Sequence, residues 1–129
     1  LFWTAFTLTS FTVGGTLAAL VGVLLHETCH NLADPRVLVN RVFSFLANIP
    51  MLVPIAASFK RYHLEHHTYQ GIEGRDPDMP MEWEVQMIRG NAVMKALWVA
   101  MFPVLYVARG AAMGKRPSDW EVYNWAFMA

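Results

Sequence analysis

Hydrophobic positions in this chain come as long uncharged runs separated by short polar segments, at helical lengths. Leu1–Leu25 carries no charged residue, and roughly 20 apolar residues suffice to cross a bilayer. A transmembrane helix is therefore expected over about Trp3–Leu25. Its hydroxyl residues (Thr4, Thr7, Thr9, Ser10, Thr12, Thr16) can bond back to the carbonyl one turn earlier, which makes them tolerable in lipid. The run lacks an initiator Met, a basic n-region and a small-residue cleavage site, so it does not read as a signal peptide. Asn31–Pro35 breaks the pattern, with Asp34-Pro35 a turn or helix-start signal. Val42–Phe59 is uncharged for 18 residues, but Pro50 and Pro54 argue against one straight helix. Phe59–Gln70 predicts a short helix, Gly71–Pro80 a loop rich in Gly, Pro and Asp, and Trp83–Ile88 the start of another helix. Asn91–Ala108 is apolar with Lys95 inside it and Arg residues at its ends, which favours an interfacial helix over a span. Gly110–Pro117 predicts a basic loop, and Trp120–Ala129 a fresh apolar helix that stops without a cap. The expected class is all-α, with integral membrane helices joined to interfacial amphipathic helices.

Composition sharpens this picture in two ways. Apolar residues make up 55% of the 129-residue chain and charged residues only 16%, below the usual quarter. Half the charges lie in Lys60–Arg89. The length fits one domain or part of one. Net charge is zero and the basic residues form no stripe, so nucleic acid is not an expected partner. The single cysteine, Cys29, excludes a disulfide framework and a cysteine-based zinc site. It reads as a small buried residue. Trp98, Trp120 and Trp125 read as interfacial aromatics.

All five histidines fall in two tight groups, His26-Glu27-Thr28-Cys29-His30 and His63-Leu64-Glu65-His66-His67. On a helix, residues three or four apart share a face, so each group aims its imidazoles one way. Neutral imidazole suits iron, zinc and copper. Five ligands exceed the four of a structural zinc site and fall short of two six-coordinate metals. Either carboxylates (Glu27, Glu65, Asp76, Asp78) complete the set, or further histidines lie downstream. If both groups serve one centre, Val42–Phe59 cannot cross once, since that would part them, and two crossings need about 40 residues. The segment should then lie in the interface or dip and return. Arg36, Arg41, Lys60 and Arg61 around it fit a cytoplasmic surface.

His26-Glu27-Thr28-Cys29-His30-Asn31 and Phe59-Lys60-Arg61-Tyr62-His63-Leu64-Glu65-His66-His67 resemble the first two histidine boxes of the membrane-bound fatty acid desaturase superfamily, and within it the sphingolipid Δ4-desaturase (dihydroceramide desaturase) family. Ala47-Asn48-Ile49-Pro50 and Gly74-Arg75-Asp76-Pro77-Asp78-Met79-Pro80 share in the resemblance, and Lys95–Arg109 does so more loosely. The HxxHH alone is weakly specific; the longer FKRYHxxHH context is strong. The family's third box, another HxxHH, is absent from residues 1–129, so the chain is expected to be an internal part of a desaturase domain. The resemblance implies a non-haem di-iron enzyme of the endoplasmic reticulum membrane, multi-pass, with its histidine boxes cytosolic. His26, His30, His63, His66 and His67 would be iron ligands by matching position. Glu27 and Glu65 would orient imidazoles or else be solvated carboxylates. Asp76 and Asp78 would contact a lipid headgroup, steady their loop, or form an ordinary acidic turn. The implied reaction uses O₂ and two electrons from cytochrome b5 and its reductase. It removes two hydrogens across C4–C5 of the sphingoid base of dihydroceramide. Lys60 and Arg61 could dock acidic cytochrome b5, although attraction to anionic membrane lipid explains them equally well. A sphingolipid C4-hydroxylase on the same scaffold is the alternative outcome. A non-catalytic membrane metal-binding protein is the alternative class.

Overall fold

The computed structural model describes residues 1–129 and contains helices without strands. Helix α1 runs Phe2–Cys29, α2 Val37–Asn48, α3 Ala56–Tyr69, α4 Glu82–Ile88, α5 Ala92–Ala112 and α6 Asp119–Met128. They group into two compact units, Leu1–Arg61 with Pro117–Ala129, and Tyr62–Arg116. The all-α membrane class expected from the hydrophobic pattern is what the structure shows.

In the first unit, α1 is long and apolar enough to cross a membrane, and every side chain of residues 1–20 is exposed. Thr12 and Thr16 donate to the carbonyls of Leu8 and Thr12 at 2.7 and 2.6 Å, as lipid-embedded hydroxyls should. A π-helical stretch occupies Ser10–Gly14. Further along, Leu25 packs with Ala47 and Ala56 in a small apolar core, flanked by Val21, Phe45, Met51 and Phe59.

The stretch around Pro50 and Pro54 does break. A 3₁₀ turn fills Ile49–Met51, Leu52 takes φ 59°, and the chain bends by 112° between Val37–Met51 and Ala56–Tyr69. This is the geometry of a broken span or a re-entrant segment. Asn48, wholly buried, holds the bend closed. Its Oδ1 accepts from Ala56 N at 2.8 Å and its Nδ2 donates to the Val53 carbonyl. Helix α6 starts at Ser118, whose hydroxyl accepts from Glu121 N while Glu121 Oε2 accepts from Ser118 N, a reciprocal cap. Glu121 also accepts from Ser58 and Arg61 at 2.9 and 3.1 Å, tying α6 to the start of α3. Burial pushes the Glu121 carboxyl up, but the bonds from Ser118, Ser58 and Arg61 outweigh it and leave it below the usual range.

In the second unit, α5 departs from expectation. It extends through Ala112 and is long and apolar enough to cross a membrane, where Lys95 had favoured an interfacial position. Lys95 lies one turn into the helix and is exposed. Its ammonium can therefore snorkel along its own stem, and one such residue does not forbid a span.

What is buried is mostly polar. Beside Leu25, Cys29, Ala47 and Ala56, the buried residues are Thr28, Asn40, Ser44, Asn48, Asp76, Glu84, Arg109, Glu121 and Asn124. A water-soluble domain of this size hides its large apolar side chains. Here Phe, Leu, Val and Trp residues face outward, and hydrogen-bonded polar groups hold the interior, as helices in lipid require.

Candidate metal centre

The first histidine group stands where α1 ends. His26 and His30, one turn apart, have ring centroids 4.8 Å apart in an edge-to-face arrangement. His26 Nδ1 lies 3.0 Å from Glu27 Oε1. An ionised carboxylate can only accept, so this contact places the proton on Nδ1 and leaves Nε2 as the nitrogen able to bind a metal. The turn that follows is built by Asn40, fully buried in α2. Its Oδ1 accepts from Ala33 N and Asp34 N at 3.1 and 3.3 Å, and its Nδ2 donates to the carbonyls of Asp34 and Arg36. Asn31, at φ 60°, accepts from Lys60 Nζ at 2.7 Å. Lys60 is thereby engaged within the first unit.

The second group lies on α3. His63 and His67 bring their Nε2 atoms to 3.1 Å. Two nitrogens bound to one ion at about 2.1 Å stand about 3.0 Å apart at an octahedral right angle and about 3.4 Å apart at a tetrahedral angle. The donor set of this pair thus fits a shared cation. His66 turns elsewhere: its Nδ1 is 2.8 Å from Asp76 Oδ1 and 3.5 Å from Asp78 Oδ2, and the three residues form one compact donor cluster. With Nδ1 committed to Asp76, the nitrogen of His66 able to bind a metal is Nε2, the carboxylate–histidine arrangement that fixes ring and tautomer behind a ligand.

Asp76 is 6% exposed. Besides His66 it accepts from Gly71 N and Asp78 N, both at 2.9 Å. Burial pushes its carboxyl up, but the Gly71 N–H, the His66 ring and the Asp78 N–H outweigh that and hold it below the usual carboxylate range. Gly71 takes φ 78° and Gly74 φ 73°, left-handed conformations that bend the loop around this carboxylate. Glu65 lies against Lys115 Nζ in an ion pair, and no contact to a histidine is seen for it.

The sequence did not single out the group that fixes the far side of this loop. Glu84, on α4, is fully buried and receives Arg109 Nε and Nη2 on its two oxygens at 2.8 and 2.7 Å. Trp98 Nε1 donates to the same carboxylate at 2.7 Å. The Arg109 guanidinium holds the Glu84 carboxyl below its usual range against the cost of burial, with Trp98 adding to it. An arginine inside an apolar helix is itself a signal, since such a charge needs a partner. Glu84 is 25 residues away, however, and nothing local pairs the two.

Fold and donor set together define an α-helical membrane protein bearing histidine-rich groups suited to a metal. The chain belongs to the fatty acid desaturase family, which it matches over residues 1–129. It is similar to the Drosophila melanogaster sphingolipid delta(4)-desaturase DES1, 35% identical over 125 residues, which are 95% of this chain and 39% of that protein. The Schizosaccharomyces pombe sphingolipid delta(4)-desaturase is 35% identical over 112 residues, 87% of this chain and 31% of its own length. A Caenorhabditis elegans protein, provisionally named sphingolipid delta(4)-desaturase/C4-monooxygenase, is 37% identical over 125 residues, 95% of this chain and 34% of its own. The chain spans about a third of the length of these relatives. No solved structure matches.

Proposed function

We propose that the protein to which these residues belong desaturates the sphingoid base of dihydroceramide at C4–C5 during ceramide biosynthesis. The observation that carries this reading is the pairing of two complete histidine boxes with similarity to sphingolipid delta(4)-desaturases over nearly the whole chain. In this reading His26, His30, His63, His66 and His67 hold two non-haem irons. The remaining ligands come from a further HxxHH in a protein about three times this length. When bound, the iron pair supplies the O₂-dependent oxidising chemistry needed at an alkyl C–H bond, which has no acidic proton for a general base to take.

The chain's own residues do the holding. Asp76 keeps the His66 ring turned with Nε2 outward, and Glu27 does the same for His26. Asp78 completes the backbone bracing of that loop through its N–H on Asp76. The apolar exteriors of α1 and α5 sit in lipid, so a ceramide chain reaches the site laterally. Electrons from cytochrome b5 and its reductase arrive from the aqueous side. That side is the cytosolic face of the endoplasmic reticulum, in keeping with Arg36, Arg41, Lys60 and Arg61 near the bend.

A second outcome, C4 hydroxylation, draws support from the dual name of the worm relative. Both are decided by expressing the full-length protein in cells lacking sphingolipid Δ4-desaturation and resolving the products of added dihydroceramide by mass spectrometry. A trans-Δ4 product supports the desaturase, a 4-hydroxy product the hydroxylase. Neither product would leave a non-catalytic metal-binding role. His66→Ala should lower product formation by at least about 100-fold while membrane insertion persists; full activity in that variant would remove the ligand assignment.

A further inference from the structure

Arg109 is 3% exposed inside α5, and a buried guanidinium is tolerated only when its donors are used. Two go to Glu84 and a third, Nη1, to the carbonyl of Asp78 at 3.3 Å. Trp98 shares its face of the helix and donates to Glu84. Three turns of one helix face therefore grip both ends of the Asp78–Glu84 segment. Asp78 is the pivot. Its carbonyl is held by Arg109, and its N–H is held by the same Asp76 oxygen that receives His66 Nδ1.

We propose that Arg109 is a positioning residue for His66: through Asp78 and Glu84 it fixes the loop that presents Asp76 to the imidazole. The inference rests on the proposed role of His66 as an iron ligand. Glu84 and Trp98 belong to the same device, Glu84 as the carboxylate that orients the guanidinium fork and Trp98 as a brace on that carboxylate. Lysine cannot replace the fork, since it offers a point charge instead of parallel donors.

The test measures iron bound per folded protein, on the full-length protein purified by size exclusion in detergent and challenged with a chelator series. R109K should weaken iron retention about 10-fold or more, as D76N does. The R109K/D76N double variant should be no weaker than D76N alone, because both act through His66. R109K that retains iron like the wild type overturns the proposal, and so does an additive loss in the double variant. If R109K does not accumulate, W98F decides, since it removes one bond to Glu84 and leaves Arg109 in place. A partial loss there supports the proposal, and wild-type retention overturns it. A wild-type protein that holds no iron at all would sink the di-iron reading and this inference with it. A loaded wild type beside an equally loaded R109K sinks only the positioning role.

Discussion

Each histidine group is followed by a tight loop, and the two loops are braced by the same device with different chemistry. After His30, the side chain of Asn40 collects two backbone N–H groups and gives two hydrogens to carbonyls. After His67, the side chain of Asp76 also collects two backbone N–H groups, but its remaining capacity goes to a histidine. A neutral amide suffices to close a turn, because its donors and acceptors are satisfied by backbone alone. A carboxylate is needed where the brace must also hold an imidazole proton. The second loop then adds a buried ion pair, Glu84 with Arg109, at its far end. The region that bears charge is the one that holds a histidine by its ring.

Breaking the ion pair should have the largest effect. Glu84→Ala strands a buried guanidinium and should cost about 3–5 kcal/mol, read as the loss in unfolding free energy by denaturant titration in detergent. Asp76→Asn comes next. It keeps the shape of the loop brace but presents an amide to His66, and metal affinity should fall by about 10–100-fold in a chelator competition. Asn40→Ala removes four hydrogen bonds that the buried Asn40 side chain makes to the turn and should cost about 1–3 kcal/mol of stability. Its metal affinity should change much less than in Asp76→Asn, and an equal loss would erase the distinction between the two loops. The smallest effect is acid sensitivity. The Asp76 carboxyl titrates below its ordinary value in the folded chain, so its stabilisation is complete above about pH 4 and is lost as pH falls through the folded value. Thermal melts of wild type and Asp76→Asn should therefore converge below about pH 4. The gap between wild type and Asn40→Ala should persist there, because an amide does not titrate.

Much of this architecture was legible in residue order. The uncharged run before His26, the prolines of the bend and the Gly-Pro-Asp loop each report a local property of the chain, and each appears in the structure where expected. Ser118-Asp119-Trp120-Glu121 is likewise a capping box legible in residue order. The reading of α5, expected to lie in the interface and found long and apolar enough to cross a membrane, turned on Lys95 and Arg109. Their charges read alike in sequence, yet one is exposed and the other buried against Glu84. The roles of Asn40 and Asn48 could not be read for a similar reason. An asparagine that closes a turn and one that faces solvent have the same letter, and only the carbonyls around it distinguish them. Trp98 shows the limit from the other side: its ring looked like a membrane-interface anchor, and its indole N–H is spent on a buried carboxylate.

The winding of the first helix bears on how His26 and His30 are aimed. Ser10 and Gly14 keep helical dihedrals, φ −61° and ψ −41° at the one, φ −62° and ψ −45° at the other, and the Gly15 N–H still reaches the Phe11 carbonyl. The screw therefore runs without slack from Phe2 to Cys29. One residue corresponds to about 100° of azimuth around a helix axis. Deleting one residue anywhere between Phe11 and Leu20 would turn the compass bearing of both histidines by about 100° relative to the side chains before it.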